Sequence, residues 1–561
     1  MGEMDGELHF NLVDEPWIEA TSAEGATGLY SLREILHQAD RIRELSGELP
    51  TIPPPIFRLL LAITYRALEG PTDKHEWAAL WNAGGPREND RARFDLYLER
   101  YHDRFDLFHP EKPFMQVPGL KSVSGDTKSP ALLKPQIANG NNVPMFIPIT
   151  DDDPQALTAA QAARWLLHAH AWDTAGIKTG VEGDPKAKGG RLYGNHVGHL
   201  GGIGYLAPMG GNLWESMVLN LVPFTETGLL LHDPDRDKPP WELDPPTAAW
   251  EERPPRGPVD LLTFNARHMR LIPSGSPGEV EVHQLVLSGG DRLSALQDLF
   301  RREPHTAWRR SKNYEKKLGR EPVYLAQGHR ADRLIWRGLT SLLGAATGAS
   351  TMGKASPHQI GSHTLAWLGA VRDMGLADVP RLVDLTVVGL EYGTQNAVVN
   401  QLIADRLPLP VQTIVTNADE PPEAYGLVSQ AIESAEDAAS LLASLTRNVL
   451  EASGETSPDA LKEHSGEARE RLYHHIDHRF RHFLTEVAEE TADIGDWRDE
   501  VRKVTESLAE DVIASAPPDA FAGRERENGQ LVNLGRAELF FRRGLYQKFP
   551  LRNRPTQERA S

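Results

Sequence analysis

A glycine-rich segment carries the residue pattern closest to a nucleotide site. Residues 348–354 read GASTMGK, the first seven positions of the phosphate-binding P-loop pattern GxxxxGK[ST]. The eighth position is Ala355, so the hydroxyl that would hold Mg²⁺ is missing. The preceding segment, Leu334–Leu343, has a helical pattern where a P-loop follows a strand. A flexible Gly/Ser loop is therefore the favoured interpretation of Gly348–Lys354.

Three histidines form the second chemical candidate. His474, His478 and His482 recur at i, i+4 and i+8, on one helix face. At about 1.5 Å rise per residue the outer two lie about 12 Å apart, too far to share one ion. A His474/His478 pair can bind Zn²⁺, but the sequence offers no HExxH glutamate or third ligand. A nucleotide- or metal-dependent enzyme built on either motif is the alternative function.

No second catalytic element accompanies these motifs. The sequence has no GxSxG, no dinucleotide fingerprint and no carboxylate spacing typical of an acid/base pair. It also contains no cysteine, which excludes a disulfide scaffold, a thiolate metal site and a cysteine nucleophile. We therefore predict that the protein is not an enzyme and has no catalytic residue, no metal and no cofactor.

Length and composition are those of a folded protein with several domains. The chain has 561 residues, 40% hydrophobic and 25% charged, which suggests roughly two to four domains. The first residues, MGEMDGELHFNLVDEP, lack the apolar segment of a signal peptide. No run of about 18 apolar residues occurs that would span a membrane. We expect no membrane contact and a cytoplasmic location.

The charge is strongly segregated. A net charge of −19 argues against a protein that coats nucleic acid with its whole surface. Yet residues 301–320 hold eight basic and two acidic side chains, and residues 536–554 hold six basic and one acidic. Such segments are able to bind a phosphate backbone locally, with ordinary solvated loops as the alternative. The candidate backbone-binding residues are Arg301, Arg302, Arg309, Arg310, Lys312, Arg542 and Arg543.

Hydrophobic patterning predicts two domains of different character. Residues 1–410 mix short strands, such as Phe10–Val13 and Leu385–Val388, with modest helices and long Gly/Pro-rich loops. Residues 411–561 contain four amphipathic segments joined by polar loops. The predicted fold class is α+β: an irregular mixed α/β N-terminal globular domain (1–410), followed by a C-terminal antiparallel four-helix bundle (411–561). The helices predicted in the first part include Ile56–Leu68, Thr158–Ala171 and Ala331–Leu343.

Several motifs, in order along the chain, resemble one family. They are FNLVDEPWI at residues 10–18, FDLFHPEKPFMQ at 105–116, LKPQIANGNN at 133–142, EYGTQNA at 391–397, and ERLY at 470–473 followed by Phe480–Phe483. Together they resemble the CasA family, the large subunit of the type I-E CRISPR surveillance complex Cascade. HPEKPFMQ is the most specific match. Some members carry a CxxC…CxxC insert where this chain has Pro273–Glu281, so no structural zinc is expected.

The resemblance implies a function in DNA recognition. Such a subunit reads the protospacer-adjacent motif (PAM) from the minor groove, wedges the duplex open, stabilises the R-loop and recruits the helicase–nuclease, while guide RNA reads the remaining sequence. The implied partners are the other Cascade subunits (the small-subunit dimer and the backbone subunits), the crRNA, double-stranded target DNA, the displaced non-target strand and the helicase–nuclease.

The resemblance also implies site residues. Lys188, Gly189 and Gly190 match the PAM-facing glycine loop, with Gly201-Gly202 as the competing pair, and Arg292 matches the basic side chain expected beside it. Gln395, Asn396 and Ala397 match the duplex wedge. Asn139, Gly140, Asn141 and Asn142 match a loop that anchors the subunit to the crRNA and the complex. Plain flexible or polar turns are the alternative at each place.

Overall fold

The computed structural model describes residues 8–137, 156–224, 229–294, 296–344, 358–525 and 529–551. It divides into two compact units. The first comprises Met1–Ile335, Ser341–Leu407 and Ile414–Glu420. The second comprises Trp336–Thr340, Pro408–Thr413 and Pro421–Ser561.

The helices and strands are numbered in chain order. The helices are α1 Leu32–His37, α2 Pro53–Ala67, α3 Lys74–Asn82, α4 Glu88–Arg100, α5 Ala159–Trp172, α6 Leu213–Asn220, α7 Pro258–Leu262, α8 Lys312–Leu318, α9 Leu339–Leu342, α10 His363–Met374, α11 Glu423–Ala452, α12 Pro458–Ala488, α13 Ile494–Ala514, α14 Asp519–Ala522 and α15 Leu534–Lys548. The strands are β1 Ile18–Ser22, β2 Thr27–Tyr30, β3 Ile42–Leu45, β4 Leu157–Thr158, β5 Lys178–Thr179, β6 Arg191–Leu192, β7 Tyr205–Met209, β8 Glu252–Arg253, β9 Arg267–Ser276, β10 Glu279–Gly289, β11 Arg292–Leu293, β12 Trp308–Arg310, β13 Tyr324–Ala326, β14 Gln359–Ile360, β15 Leu382–Tyr392, β16 Val399–Pro410, β17 Arg524–Glu525 and β18 Leu531–Val532.

The core of the first unit forms around two buried helices. Helix α2 begins with prolines in its first turn, where no intrahelical N–H is needed, and nearly all of its side chains are buried. Helix α5 begins with a capping box between Thr158 and Gln161. Fully buried tryptophans, among them Trp17, Trp165 and Trp172, fill the space around these helices.

Small sheets surround this core and carry the loops of interest. Strands β9 and β10 form a long antiparallel hairpin, from Arg267 opposite Gly289 to Ser276 opposite Glu279. Strand β15 lies between β16 and β7, and pairs antiparallel with β7 from Val388 opposite Tyr205 to Asp384 opposite Met209. The connection between β15 and β16 therefore projects as a hairpin tip at residues 393–398.

The second unit is a helical bundle. Helices α11, α12, α13 and α15 pack together, each burying one apolar stripe. The α12 stripe contains Leu472, Ile476 and Phe480. The indole Nε1 of Trp497 on α13 donates to the carbonyl of Ala431 (3.0 Å) on α11. The α+β fold with a C-terminal helical bundle, predicted from patterning, is confirmed.

Two local predictions are wrong. Phe10–Val13 is a turn, because the Asn11 side chain accepts the N–H of Val13 (2.9 Å) and its carbonyl accepts that of Glu15 (2.8 Å). Ala331–Leu343 yields only a 3₁₀ turn, Ile335–Gly338, and the short α9. The reason is tertiary: Trp336 packs inside the bundle unit, stacked on Phe480 at 4.3 Å between ring centroids. The predicted strand Leu385–Val388 lies within β15 and is confirmed.

Candidate nucleic-acid interface

The hairpin tip between β15 and β16 presents two exposed amide side chains. Gln395 and Asn396 both have left-handed backbone conformations, with φ of 55° and 54°. This conformation is common for Asn but costs a Gln about 1 kcal/mol. The N–H of Asn396 donates to the carbonyl of Gly393 (2.9 Å), which closes the turn. The backbone thus fixes the tip while both side chains point into solvent.

The loop beside this tip is held by a buried charge cluster. Arg267, 3% exposed, directs Nε to the Asp173 carboxylate (2.5 Å) and Nη2 to the carbonyls of Asp173, Thr174 and His196 (2.8–2.9 Å). Lys178 donates to the same carboxylate (2.9 Å). Burial alone would raise the pKa of Asp173, but Lys178 and Arg267 outweigh it and hold that pKa below its ordinary value.

This cluster connects the loop to the hairpin tip. The N–H of Ala175 donates to the carbonyl of Asn396 (2.8 Å), and Asn195 Nδ2 donates to the carbonyl of Gly176 (3.0 Å). Since Arg267 holds Thr174 and His196 at the same time, the loop and the tip form one hydrogen-bonded assembly. Sequence reasoning missed Asp173, Lys178 and Arg267, because Arg267 lies 94 positions from Asp173 and leaves no local pattern with it.

Two cavities flank the connection. One, of about 630 Å³, is lined by Thr174, Lys178, Tyr193 and Gln395 among others. The other, of about 430 Å³, is lined by Arg292, Gln395 and Asn396 together with glycines. The structure therefore brings the predicted basic residue and the predicted wedge amides to one place.

The glycines that line the smaller cavity differ in whether a side chain would fit there. A Cβ at Gly198, Gly289 or Gly290 would lie within 2.5 Å of other protein atoms, so packing alone excludes a side chain there. A Cβ at Gly202 would meet only Val197 Cγ2, at 3.9 Å. Gly202 therefore has open space above its Cα and lines the same cavity as Arg292 and the tip.

The Lys188-Gly189-Gly190 segment lies outside this lining. It forms a turn at the end of the connection from β5 to β6, closed by paired main-chain hydrogen bonds between Lys188 and Arg191 (2.8 and 3.1 Å). Gly189 and Gly190 have φ of 55° and 71°, which a two-residue hairpin turn requires. The turn is exposed, and of the glycines in the two candidate segments Gly202 lines the cavity.

Arg292 is held at the cavity wall. Its strand β11 pairs with β8, and its guanidinium lies over the ring of Trp250, 3.7 Å from the ring centroid. Nη2 donates to the carbonyl of Tyr193 (3.2 Å). Burial lowers the pKa of Arg292 from its ordinary value, yet a guanidinium remains charged at neutral pH.

A second buried charge network lies behind the cavity. Arg58 binds Glu303 through two hydrogen bonds (2.7 and 2.9 Å), and His199 Nε2 lies 2.7 Å from the same carboxylate. Burial would raise the pKa of Glu303, but Arg58 and His199 bring it well below its ordinary value. Burial lowers the pKa of the neighbouring His305 to about 3, so this imidazole is neutral. The network fixes His199, next to Gly198.

The basic segment at 301–320 divides into bound and available side chains. Arg310 is paired with Glu315 (2.5 Å) and Glu321 (3.1 Å), whereas Arg309 and Lys312 are exposed. Arg301 and Arg302 are half-buried. Trp308 is fully buried and therefore does not stack on bases.

The C-terminal basic helix shows the same division. On α15, Arg542 pairs with Glu538 one turn earlier (2.8 Å), and Arg543 is exposed. Arg536 lies over the ring of Phe540, 5.8 Å from the centroid.

The HPEKPFMQ motif has a structural role. Phe114 is buried and stacks on Phe105, with 5.4 Å between ring centroids. The buried Gln116 amide donates to the carbonyl of Leu107 (2.8 Å) and accepts the N–H of Leu271 (2.7 Å). The motif thus ties the N-terminal segment to β9.

With this geometry established, comparison with known proteins identifies the family. The model of the CRISPR-associated protein Cse1 family matches residues 11–508. The chain belongs to this family. The curated CasA/Cse1 of Thermus thermophilus is 29% identical over 514 residues, 88% of this chain and 90% of that protein. The resemblance to CasA drawn from the motifs is thereby confirmed.

Solved structures agree in fold. Cse1 of Thermobifida fusca is 33% identical with a TM-score of 0.82, covering 97% of this chain and 98% of that one. A chain of a structure described as a CRISPR RNA-guided surveillance complex is 19% identical with a TM-score of 0.68, covering 96% and 100%. At that identity the second likeness concerns the fold alone.

The remaining predicted sites have different positions. Asn139, Gly140, Asn141 and Asn142 lie outside the described residues, as does Gly348–Lys354. His474, His478 and His482 are exposed on α12, opposite its buried stripe. Within the described ranges, no three His, Asp or Glu side chains are grouped closely enough to hold a metal ion. No helix of those ranges is long and apolar enough to cross a bilayer.

Proposed function

We propose that the chain is the DNA-recognising large subunit of a crRNA-guided antiviral surveillance complex. It reads the PAM from the minor groove, inserts Gln395 and Asn396 beside it to open the duplex, and stabilises the R-loop. The subunit itself is not catalytic, and it recruits the helicase–nuclease that degrades the DNA. It acts in the cytoplasm.

One observation carries this proposal: Arg292, Gln395 and Asn396 line the same glycine-rich cavity. The minor groove presents few distinguishing groups, so a reader must approach its floor closely. Gly202 permits such approach because it has no side chain, and Arg292 supplies donors for the acceptors on the base edges. This geometry favours Gly202 over the Lys188–Gly190 turn as the element that faces DNA.

The two amides suit a wedge. Their left-handed backbone defines the shape of the tip. The hydrogen bond from Ala175 to Asn396 connects the tip to the loop that the buried Arg267 cluster holds. Unstacking one base step costs a few kcal/mol, so a wedge needs a rigid base. Amides also hydrogen-bond the base edges that opening exposes.

The partners follow from family membership and charge. The complex brings the other Cascade subunits, among them the small-subunit dimer and the backbone subunits, and the crRNA. The Asn139–Asn142 loop serves as the anchor to the crRNA end of the complex. Arg309, Lys312 and Arg543, with Arg301, Arg302 and Arg542 nearby, bind phosphates of the target duplex and the displaced strand without sequence preference.

A reconstitution experiment tests the function as a whole. A crRNA-containing complex is purified without its large subunit, and the full chain is added back. We expect the chain to join the complex and to restore binding to guide-matched duplexes in a manner that depends on the flanking base pairs. Assembly without any flank-dependent binding would contradict the proposal and favour a protein scaffold.

A further inference from the structure

Trp250 contacts two cations. Its indole has Lys186 Nζ at 3.3 Å and the Arg292 guanidinium carbon at 3.7 Å from a ring centroid. Both side chains therefore pack against the indole. Lys186 Nζ also donates to the carbonyl of Trp250 (3.2 Å). The indole is 8% exposed and therefore largely fixed by its surroundings.

The backbone around this stack is equally constrained. The N–H of Arg292 donates to the carbonyl of Glu251 (2.8 Å), and the N–H of Glu251 donates to the Asp291 carboxylate (3.0 Å). Arg253 binds both Asp260 (2.8 Å) and Asp291 (3.2 Å). Trp250 and Arg292 are thus held beside each other by main chain and side chain together.

The stack leaves part of the guanidinium unused. Among the described residues, the protein accepts hydrogen bonds only from Nη2 of Arg292, at the Tyr193 carbonyl (3.2 Å) and Asn195 Oδ1 (3.5 Å). The Nε and Nη1 protons therefore remain for an acceptor in the cavity. A planar fork whose plane is set by an aromatic ring offers those donors in one orientation.

We infer that Trp250 is a positioning residue that sets the Arg292 guanidinium for reading an acceptor on the minor-groove floor. The inference rests on the proposed function and deepens it, since it assigns flank discrimination to the orientation of Arg292 as well as to its charge. Purine N3 and pyrimidine O2 atoms are the acceptors present there. Loss of the Trp250 ring leaves the positive charge of Arg292 in place but no longer fixes the orientation of its guanidinium.

The test measures discrimination in the assembled complex. The probe is a pool of guide-matched duplexes with randomised base pairs at the flank. For each flank the bound-to-unbound ratio is measured, and the readout is the ratio of the best-bound flank's value to the worst-bound flank's value. Trp250→Leu is expected to lower that ratio about two- to thirtyfold, the range of a cation–π contact. Trp250→Phe, which keeps a π face, is expected to restore most of it. Trp81→Leu, the loss of a half-buried indole that stacks on Trp77 and does not line the cavity, serves as the control.

A second substitution separates orientation from charge. Arg292→Lys keeps the charge and the contact with the ring but lacks the fork, so it is expected to keep affinity and lose discrimination. If Trp250→Leu does not fold, as judged by its melting curve, Trp250→Met takes its place, since its flexible unbranched side chain adapts to an irregular gap and has no π face.

The outcomes are distinct. Full discrimination in Trp250→Leu, or its Met replacement, together with a loss in Arg292→Ala, overturns the positioning role and leaves the proposed function intact. Full discrimination in Arg292→Ala overturns the part of Arg292 in the proposed function, and the role of Trp250 with it. A loss of discrimination equal in Trp250→Phe and Trp250→Leu also contradicts the inference, because it indicates packing instead of a π contact.

Discussion

The main-chain N–H of Ala175 donates a 2.8 Å hydrogen bond to the carbonyl oxygen of Asn396. Through this bond the tip of the β15–β16 hairpin rests on a loop whose carbonyls are held by the buried Arg267. The exposed amides of Gln395 and Asn396 therefore stand on a rigid base. The proposed wedge therefore has a base that is fixed by hydrogen bonds.

Replacing Gln395 by glycine is expected to stabilise the isolated chain. Gln395 has a φ of 55°, a conformation that costs a non-glycine residue about 1 kcal/mol and a glycine nothing. Gln395→Gly should raise the free energy of unfolding by up to about 1 kcal/mol, measured by chemical denaturation. Gln395→Ala keeps the strained conformation and should give no gain. Equal stabilities of the Gly and Ala variants would mean that the tip relaxes in solution.

The two glycines of the Gly201-Gly202 pair are expected to respond differently to a methyl group. A Cβ at Gly201 would lie 2.1 Å from the Tyr392 hydroxyl, which donates to the carbonyl of Trp172 (2.7 Å). Gly201→Ala should therefore cost about 1–3 kcal/mol of stability. Gly202→Ala should keep the melting temperature and weaken flank-dependent duplex binding. Unchanged DNA binding by Gly202→Ala would remove this glycine from the interface.

Stability is expected to fall as the pH drops below about 6.5. Burial lowers the pKa of His168, His170 and His305 to about 3 from 6.5. Because the unfolded chain binds these protons first, the stability present above pH 6.5 is lost as the pH falls toward 3. Each such histidine contributes a slope of about 1.4 kcal/mol per pH unit.

Substitution of one buried histidine tests this pH dependence. Denaturant titrations between pH 7 and 5 give the free energy of unfolding at each pH. In His305→Gln, the slope of this free energy against pH should be smaller by about one proton. His474→Gln, at an exposed position on α12, serves as the substitution control. A slope in His305→Gln equal to that of the unsubstituted chain would mean that His305 is not buried as a neutral group.

Within the basic segment 301–320, the effect of an alanine substitution on DNA binding is expected to depend on whether the basic side chain is exposed or already paired with a carboxylate. Arg309 and Lys312 are exposed, so each alanine substitution should reduce the slope of log affinity against log salt by about one. Arg310→Ala is the matched control, since its guanidinium is engaged by Glu315 and Glu321 and its loss should change the slope little. Duplex binding of the assembled complex at several salt concentrations gives the slopes.

The parts of the fold that depend on local periodicity were predictable. The stripe of Leu472, Ile476 and Phe480 follows helical spacing, and burial on one face is the direct consequence. The segment Gln395–Ala397 was singled out through the resemblance of its motif to the CasA family, and the hairpin that carries it was not predicted. Local periodicity fails at Trp336. The sequence around it predicts a helix, but packing of its indole against Tyr473 and Phe480 in the bundle determines the conformation.

The supports of the candidate site were not predictable for a physical reason. Arg267 and Asp173 are 94 positions apart, and Arg58 and Glu303 are 245 apart. Such pairs depend on how elements pack, and no spacing in the sequence encodes them. At the Lys188–Gly190 turn the local pattern was visible but misleading. Its glycines supply the positive φ values that a two-residue turn requires, and they do not line the cavity.

The most direct test of the central claim is strand opening by the assembled complex. Permanganate reactivity of thymines, or fluorescence of 2-aminopurine, beside the flank of a guide-matched duplex reports unstacking. Gln395→Ala combined with Asn396→Ala is expected to reduce opening by about tenfold or more, because unstacking a base step costs a few kcal/mol, while complex assembly persists. Thr394→Ala, at an exposed neighbour in the same tip, should open DNA like the unsubstituted chain. Opening by the Gln395/Asn396 double variant at the unsubstituted level would contradict the account.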